Sequence, residues 1–459
     1  MTPHWTLSLA VSIAIFCIAP ADGQTKRIKP RAEALLVRCK MLINPANGSV
    51  LQDAAIQVNN GKILRVGTAS ELSAPPGYRV VDFSDKYVIP GLIDTHAHMY
   101  GGIQFRITTN ENGPVLLLAC GVTTACGPGS MDPGGDLAMR RRIDAGFWEG
   151  PRYFLAGEYL EMDPVTVRWM NPLYTPEEAR LKIDYWASQG ATAIKMYARM
   201  SGEIMRVSTE HAHEMGLRVF AHVGATTWKD SIEMGVDELF HGVLALPEGM
   251  PTNSSESGQE SRDAAIARMN LNQPSVREAL RLAAERKVVL SPTAVVREPI
   301  DMKKQHMADQ KRFFVPSTWE VIEKMAAQPP SAAVAAVMNK QREFIRAADQ
   351  AGCILGTGTD YVVWRLLPGY SLWREMELFA EAGVPPMRIL KAATWAGAYA
   401  IGRTDQLGSI EPGKLADFVA LNFNPLDDIS NVRSVYRVVK GGVIYDPEEL
   451  LKSREGKIF

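Results

Sequence analysis

The chain has 459 residues, which is enough for one large domain together with a smaller one. Hydrophobic residues make up 46% of it, charged residues 22%, and the formal net charge is −1, as in an ordinary globular protein. Because no excess of Lys and Arg creates a basic field, the composition argues against a nucleic-acid partner.

The N-terminus differs from the rest of the chain. Residues 7–18 form an apolar run that is too short to span a bilayer comfortably, and the small-x-small sequence Ala19-Pro20-Ala21 follows it. This pattern predicts a secretory signal peptide over residues 1–21, although the segment before the run lacks Lys and Arg. We therefore expect a periplasmic or secreted protein with no stable membrane span in its mature form.

The four cysteines beyond this segment are too few and too scattered for a disulfide framework. They are Cys39, Cys120, Cys126 and Cys353. Because each lies in or beside an apolar pattern, we expect buried free thiols. A bridge between Cys120 and Cys126 is the alternative that an oxidising compartment would allow.

Short strand patterns occupy both ends of the chain. Near the N-terminus they cover residues 35–37, 54–58 and 63–66, with turn signals at Asn47-Gly48 and Asn60-Gly61. Near the C-terminus one pair surrounds Pro412-Gly413 and another surrounds Gly441-Gly442. Because neither set is large enough to stand alone, we expect residues 27–87 and 405–459 to form one small β-sandwich.

Between these ends, strand-like and helical periods alternate, which is typical of βα units with a parallel sheet. Eight strands are predicted, at residues 88–98, 122–125, 153–156, 193–196, 219–222, 238–241, 288–290 and 354–355. The sequence therefore predicts an α/β fold in which a (β/α)₈ TIM barrel, residues 88–404, is inserted in the sandwich. The chemistry of such a barrel lies at the carboxyl ends of its strands.

Two helix starts can be predicted from capping residues. Thr175 before Pro176 predicts an N-cap with proline in the first turn, and Gly190 predicts the end of that helix. Ser317 with Glu320 predicts a capping box for a later helix.

The first predicted barrel strand has the most informative sequence, Val88-Ile89-Pro90-Gly91-Leu92-Ile93-Asp94-Thr95-His96-Ala97-His98. Side chains two apart share a face of a strand, so His96 and His98 can bind one ion. The alternative is two histidines that flank an alanine at a strand end by chance.

This phrase resembles the first barrel strand of the amidohydrolase superfamily, which comprises metal-dependent hydrolases on a (β/α)₈ barrel. Residues 408–421 also resemble the C-terminal signature of that superfamily. The resemblance covers nearly the whole mature chain, and it implies four further metal ligands downstream.

Lys195 ends the predicted fourth strand. An ammonium group in a barrel mouth lined by metal ligands would be repelled unless it is paired or has lost its charge. The resemblance implies that CO₂ carboxylates Lys195 and that the carbamate bridges two divalent ions, which we expect to be zinc. The alternative is a lysine held by a salt bridge.

The remaining implied ligands are His222, His241 and Asp360. The histidines close the fifth and sixth strands, and the aspartate follows Gly356-Thr357-Gly358-Thr359, where glycines allow close backbone approach. Taken singly, such residues more often pack in a core or cap a turn. At consecutive strand ends they are predicted metal ligands, and Asp360 is also the predicted catalytic residue that moves protons.

Two other histidine positions are predicted not to bind metal. His211 and His213 repeat the His-x-His spacing, but they lie in a helical pattern, where residues two apart point to different sides. His306 lies among lysines and has no ligand context.

The resemblance also implies a mechanism. A metal-bridging hydroxide attacks an amide carbonyl, and Asp360 passes the proton to the leaving nitrogen. Two divalent ions, balanced by a carbamate, Asp360 and the hydroxide, leave about one net positive charge, which suits a substrate with a carboxylate. Ala225 stands where deaminases of the superfamily tend to have Glu, which argues against deamination.

The branch that this chain most resembles is the imidazolonepropionase-like one, which includes prolidase-like and carboxypeptidase-like dipeptidases and ochratoxin-type amidases. The likeness depends on Ile194-Lys195-Met196-Tyr197, on the two later histidines and on Gly358-Thr359-Asp360. Phe240 departs from the pattern, because the branch usually has Glu before the sixth-strand His-Gly.

Substrate contacts are harder to predict. Tyr197 and Tyr361 lie beside implied ligands and are the predicted substrate-binding residues, with packing at the barrel rim as the alternative. Three arginines, Arg199, Arg297 and Arg365, have the chemistry to bind a carboxylate in bidentate fashion, although each alone is more typical of a surface. The long segments 244–276 and 294–330 predict a lid.

The function predicted from the sequence is hydrolysis of an amide bond in a small molecule, of the peptide or N-acyl amino acid type. One alternative is a mononuclear hydrolase of cyclic amides or lactones in which Lys195 is not carboxylated. The other is a binding barrel without catalysis. A homo-oligomer is compatible with each.

Overall fold

The computed structural model describes residues 32–99, 111–167, 170–250, 262–298, 308–327, 331–361 and 367–458. The predicted signal peptide lies outside these ranges, as do His306 and Arg365. Among the helices within these ranges, none has the length and apolar character needed to cross a lipid bilayer.

The strands, in chain order, are β1 Leu35–Asn44, β2 Ser49–Asn59, β3 Lys62–Thr68, β4 Arg79–Pro90, β5 Leu92–Asp94, β6 Val122–Gly127, β7 Arg152–Leu155, β8 Tyr159–Leu160, β9 Ala193–Met196, β10 Arg218–Ala221, β11 Glu238–Phe240, β12 Val289–Ser291, β13 Ile354–Leu355, β14 Phe418–Leu421, β15 Val435–Lys440 and β16 Val443–Tyr445.

The α-helices are α1 Asn112–Ala119, α2 Pro133–Asp144, α3 Pro176–Ser188, α4 Gly202–Glu214, α5 Trp228–Glu233, α6 Arg262–Ala267, α7 Pro274–Arg286, α8 Pro316–Ala326, α9 Ala332–Gln350, α10 Tyr370–Glu381, α11 Pro386–Lys391, α12 Gly397–Ala400 and α13 Pro447–Lys452. A π-helical turn, Ala392–Ala396, joins α11 to α12. Short 3₁₀ helices cover Gly242–Ala245, Pro247–Gly249, Ala294–Arg297, Ala308–Phe313 and Ile429–Arg433.

Strands from both ends of the chain share one seven-stranded sheet in the order β16-β15-β14-β4-β1-β2-β3. The strands therefore form one sheet and not the predicted sandwich of two sheets. The sheet curls instead, because twist accumulates across long strands. The edge strand β3 meets the segment before β14, where the Ile63 N–H donates to Lys414 O at 2.9 Å. Val37, Ile56 and Phe418 pack together on the inner face of the sheet.

The central strands form two parallel sheets, β5-β6-β7 and β8-β9-β10-β11-β12-β13. The predicted closed barrel is not seen as one continuous ring of strand ladders. Isolated hydrogen bonds join the sheets instead, among them those from Thr95 N–H to Thr357 O at 3.1 Å and from Thr192 N–H to Leu155 O at 2.9 Å. Strands of only two or three residues are too short to extend a ladder across these seams.

The predicted strand at 88–98 is in fact two strands in different sheets. Val88 to Pro90 belong to β4 and pair with β14, whereas β5 pairs with β6. Gly91 separates them, and its N–H donates to Asp417 O at 3.0 Å. The seven other predicted barrel strands are confirmed within two residues of their predicted limits.

One of the two helix-start predictions is confirmed. The Thr175 hydroxyl accepts a hydrogen bond from Glu178 N–H at 3.2 Å, and Gly190 follows α3 with φ +84°. The capping box at Ser317 is wrong, because α8 already begins at Pro316. Proline is favoured in the first turn of a helix, so the serine lies inside it.

The described cysteines are all free thiols, so the bridge between Cys120 and Cys126 is not formed. Burial raises the pKa of both thiols. Such thiols are poor nucleophiles, as expected of packing residues.

We predict that Gly91→Ala destabilises the protein. A Cβ atom at this position would overlap the side chain of Thr123, and overpacking of this kind costs about 1–3 kcal/mol. Gly134→Ala is the control, because its Cβ would meet only Asp132 Oδ1 at an ordinary 3.5 Å. Calorimetry should show a lower unfolding temperature for the first variant alone. Equal unfolding temperatures would contradict this account of the junction.

Candidate metal centre

Three predicted ligands meet at one point at the strand ends. The donor atoms of His96, His98 and Asp360 all lie within 4.8 Å of one another. Asp360 Oδ1 is 3.2 Å from His98 Nε2 and 3.6 Å from His96 Nε2. The histidines lie beyond the end of β5, so strand alternation is not what brings them together, contrary to the sequence argument.

A buried carboxylate positions these ligands. Asp94 accepts hydrogen bonds from the backbone N–H groups of His96 and Thr359, at 3.0 and 3.1 Å, and from the Thr359 hydroxyl at 2.6 Å. The Asp360 N–H in turn donates to His96 O at 2.7 Å. These bonds tie the segment after β5 to the segment after β13. Burial raises the pKa of Asp94 to about 6, and its hydrogen bonds oppose that shift.

The two later histidines extend the cluster. The ring of His241 lies 5.0 Å from that of His96 and 4.3 Å from that of His222, centroid to centroid. His241 Nδ1 lies 2.9 Å from the Thr293 hydroxyl oxygen and 3.9 Å from Asp360 Oδ2. His222 Nδ1 is buried and has no hydrogen-bond partner among the described residues.

Lys195 lies near the carboxyl end of β9, and its side chain is fully buried. Its Nζ has no hydrogen-bond partner in the described part of the chain and lies 3.7 Å from the centroid of the Phe240 ring. Burial lowers the pKa of Lys195 to about 7, and the negative charges of Asp360 and Glu238 oppose the shift. A large share of the amine is therefore neutral near pH 7.

Phe240, the departure from the family pattern, forms part of the floor of the site. Its ring contacts His96 edge to face at 4.3 Å as well as Lys195. A carboxylate, that of Glu238, is nevertheless buried two residues before Phe240 on the same strand. Glu238 accepts hydrogen bonds from Thr95 and Ser291 at 2.8 and 2.5 Å, and burial raises its pKa to about 7.

Burial favours the neutral form of three of the site histidines, His96, His222 and His241. Burial lowers the pKa of His96 and His241 well below the usual value and that of His222 to about 3, with the nearby positive charge of Lys195 adding to each shift. Neutral imidazole is the form that binds metal ions. The donor set of imidazoles, a carboxylate and a neutral buried amine, with a nitrogen of His222 left unpaired, fits a divalent-metal centre.

The predicted substrate-binding residues differ in their positions around the site. The Tyr197 ring lies 4.6 Å from that of His222, whereas Tyr361 is fully buried and its hydroxyl lacks a partner among the described residues. Arg199 is exposed, and Arg297 pairs with Asp263.

Among the described arginines, Arg262, at the start of α6, is one whose charge acts on the site histidines. It contributes to the lowered pKa of His222 and of His241, and it opposes the rise in the pKa of Tyr197. Its guanidinium donates to Leu244 O at 2.6 Å. Only parts of the predicted lid, including this residue, fall within the described ranges.

The helical histidines are held elsewhere, as predicted. His211 and His213 lie on α4 and contact Asp184 and Asp237 at 2.6 and 3.1 Å. Among the described residues, the structure groups the donor atoms of His96, His98 and Asp360 and places the rings of His241 and His222 next to them. His211 and His213 lie outside this group.

Three residues of the site, Asp94, Thr293 and Gln341, were not predicted from the sequence. Asp94 is part of the first motif, and its position two residues before His96 could have indicated its role. Thr293 contacts His241 from 52 residues away, and Gln341 contacts the same residue's backbone from 100 residues away. Separations of this size leave no periodic pattern.

Comparison with known proteins is consistent with this geometry. Residues 87–445, well over half of the chain, match the model of the amidohydrolase family. Imidazolonepropionase from Porphyromonas gingivalis is 38% identical over 104 residues, which is 21% of this chain and only 23% of that protein. Ochratoxinase from Aspergillus niger is 23% identical over 473 aligned residues, which cover 90% of this chain and 87% of the fungal protein.

Among solved structures, a Xaa-Pro dipeptidase with bound methionine in its active site superposes with a TM-score of 0.69. It is 23% identical, and the match covers 90% of this chain and all of that one. At this identity the likeness establishes a shared fold. Together with the match to the family model, it shows that this chain belongs to the amidohydrolase family.

Proposed function

We propose that this protein is a metal-dependent hydrolase that cleaves an amide C–N bond in a small molecule of the peptide or N-acyl amino acid type. The observation that supports this most is the buried amine of Lys195, which has no hydrogen-bond partner in the described structure and whose charge acts on three of the site histidines, His96, His222 and His241. Membership of a hydrolase family supports it too.

The chemistry of Lys195 suits carboxylation. The nitrogen lone pair of a neutral amine forms a bond to the carbon of CO₂, one N–H proton is released to water, and the resulting carbamate is an anion with two oxygen donors. Burial favours the neutral amine, and it also excludes water that would otherwise form hydrogen bonds with the amine. We infer that this site would hold two divalent ions, with the modified Lys195 as a ligand together with His96, His98 and Asp360 in one group and His222 and His241 in the other.

Two divalent ions, zinc by preference for this donor set, would lower the pKa of a water between them and polarise the substrate carbonyl. The chain's own residues then supply orientation and proton transfer. Asp360 is the only one of the six proposed ligands with a free proton-accepting carboxylate, and its exposed fraction of 17% leaves it open to the mouth. We assign to it the transfer of a proton to the leaving nitrogen.

Substrate binding is assigned to the mouth. Tyr197 borders His222, where it can contact a substrate carbonyl, and Arg262 adds a positive charge beside it. A cation at this place favours substrates with a carboxylate near the scissile bond. The names of the relatives, a Xaa-Pro dipeptidase and an ochratoxinase, are consistent with this choice.

The finer architecture is also proposed. We infer that the two parallel sheets act as one (β/α)₈ barrel, residues 88–404, with the terminal sheet, residues 27–87 and 405–459, as a separate domain. The hydrogen bonds across both seams support the first inference, and the pairing of β4 with β14 supports the second. We further propose a periplasmic or secreted location, on the basis of residues 1–21.

A mononuclear hydrolase of cyclic amides or lactones is the second candidate. The close grouping of His96, His98 and Asp360 favours it, because these three alone can hold one ion. Under this alternative Lys195 stays an amine.

We expect Lys195→Ala to separate these candidates. Loss of the shared ligand should reduce bound metal from two ions to one per chain, and activity on a dipeptide or N-acyl amino acid should fall by at least about 10-fold to 100-fold. Metal content is measured by mass spectrometry of the refilled protein, with and without bicarbonate. Lys182→Ala, which removes a surface ion pair with Glu158, is the control. Near-normal activity with one ion would favour the mononuclear enzyme.

Asp360→Asn should lower kcat by about 10²-fold to 10⁴-fold, because the amide cannot accept the proton that the reaction releases. Steady-state kinetics of the zinc-loaded protein measure this. Asp184→Asn, on the outer helix beside His211, should leave kcat unchanged. A full kcat in the Asp360 variant would remove this residue from proton transfer.

Arg262→Gln should reduce kcat/KM for an N-acyl amino acid by about 10-fold to 100-fold, because a charged hydrogen bond to the carboxylate is lost. The same substrate as its carboxamide should show little change. Arg199→Gln serves as the matched control, since this residue is exposed and was one of the three arginines considered from the sequence. Equal losses on both substrates would contradict carboxylate recognition by Arg262.

A further inference from the structure

His241 and the residue that contacts its ring both have unusual backbones. Of the described residues other than glycine, His241, Thr293 and Asp360 are among the few with positive φ, at 76°, 48° and 48°. This region is unfavourable for a side chain with a Cβ atom, and most of all for a β-branched one such as threonine. Residues in such conformations persist only where their surroundings hold them, and they concentrate at functional sites.

Gln341, a buried residue of α9, holds the first of these backbones. Its side-chain amide donates to Pro292 O at 2.7 Å and to His241 O at 3.3 Å, and its oxygen accepts from Val243 N–H at 3.0 Å. One amide therefore joins the segment after β11 to the segment after β12. A Cβ atom on Gly242 would meet this amide at 2.8 Å, so glycine is needed there.

Glu375, a buried residue of α10, holds the backbone next to Thr293. Its two carboxylate oxygens accept from Ala294 N–H and Val295 N–H, at 2.9 and 2.8 Å. These are the first N–H groups of the 3₁₀ helix Ala294–Arg297, which immediately follows Thr293. The anchored helix leaves Thr293 little freedom to move.

The consequence is a fixed contact between Thr293 and His241. The hydroxyl oxygen lies 2.9 Å from Nδ1, a hydrogen-bond distance, whereas the nearest Asp360 oxygen is 3.9 Å away. A neutral imidazole has one N–H and one lone pair. If Nδ1 donates to the threonine, the lone pair is on Nε2 and is free to bind an ion.

We propose that Thr293 is a positioning residue that fixes His241 as the Nδ1–H tautomer, so that Nε2 is its metal-binding atom. Gln341 and Glu375 act behind it by holding both backbones in place. This inference rests on the proposed function, because it assumes that His241 binds a metal ion. Ligand histidines commonly depend on such a partner at the second ring nitrogen.

The test compares three variants. Thr293→Val keeps the branched shape but removes the oxygen, Thr293→Ser keeps the oxygen, and Thr209→Val removes a buried threonine hydroxyl that bonds to Met205 O on α4, away from the site. Each apo protein is titrated with Co²⁺ against a chromophoric chelator, and the visible spectrum of the loaded protein is recorded. Thermal unfolding of the apo proteins reports on folding.

We expect Thr293→Val to weaken binding of one of two ions by about 10-fold to 100-fold and to change the Co²⁺ spectrum. Thr293→Ser should restore most of the affinity, and Thr209→Val should match the wild type. If the wild type takes up Co²⁺ and Thr293→Val binds it equally with the same spectrum, this inference is overturned while the proposed function stands. A wild type that takes up no divalent ion overturns both.

A second measurement needs no variant at Thr293. The chain has eight histidines, so ¹⁵N-histidine labelling of the apo protein gives a small set of ring signals, and His241→Asn assigns the one of interest. Long-range ¹⁵N–¹H spectra should show His241 protonated at Nδ1. Protonation at Nε2 instead would overturn the inference, even if Thr293→Val fails to fold.

Discussion

The site depends on the removal of water from a set of nitrogen donors. Lys195 is buried, its Nζ lies 3.7 Å from the centroid of the Phe240 ring, and no described group accepts a hydrogen bond from it. A permanent ammonium in such a place would be very costly, so the amine gives up its proton easily. The same desolvation lowers the pKa of His96, His222 and His241 and so favours their neutral forms. One physical cause therefore prepares both the lysine for CO₂ and the imidazoles for metal ions.

Desolvation alone would not bring the donors together, because they come from segments far apart in the chain. Buried hydrogen bonds do so. Asp94 joins the segment after β5 to the one before Asp360, and Gln341 joins the segments after β11 and β12. Each of these polar groups lies in the interior with its partners satisfied, so its loss would leave several buried N–H or C=O groups unpaired. The ligand arrangement is thereby built into the folded chain before an ion arrives.

What could be predicted from the sequence was mostly local. Lys195, His222 and His241 stand at the ends of apolar strands, and since the carboxyl ends of parallel strands meet at one edge, their convergence followed from position. The prediction of a single strand at 88–98 was wrong because the chain leaves one sheet and enters another at Gly91. Ser317 was misread because Pro316 competes for the same helix start. Arg262 and Thr293 could not be found, since their roles arise from contacts between distant segments.

The most direct test of this account is anomalous diffraction from crystals of the full chain loaded with zinc in the presence of bicarbonate. We predict two anomalous peaks, one beside His96, His98 and Asp360 and one beside His222 and His241, with electron density for a carboxylated Lys195 between them. A single peak beside the first group, together with an unmodified Lys195 side chain, would contradict the claim that the buried lysine is the shared ligand.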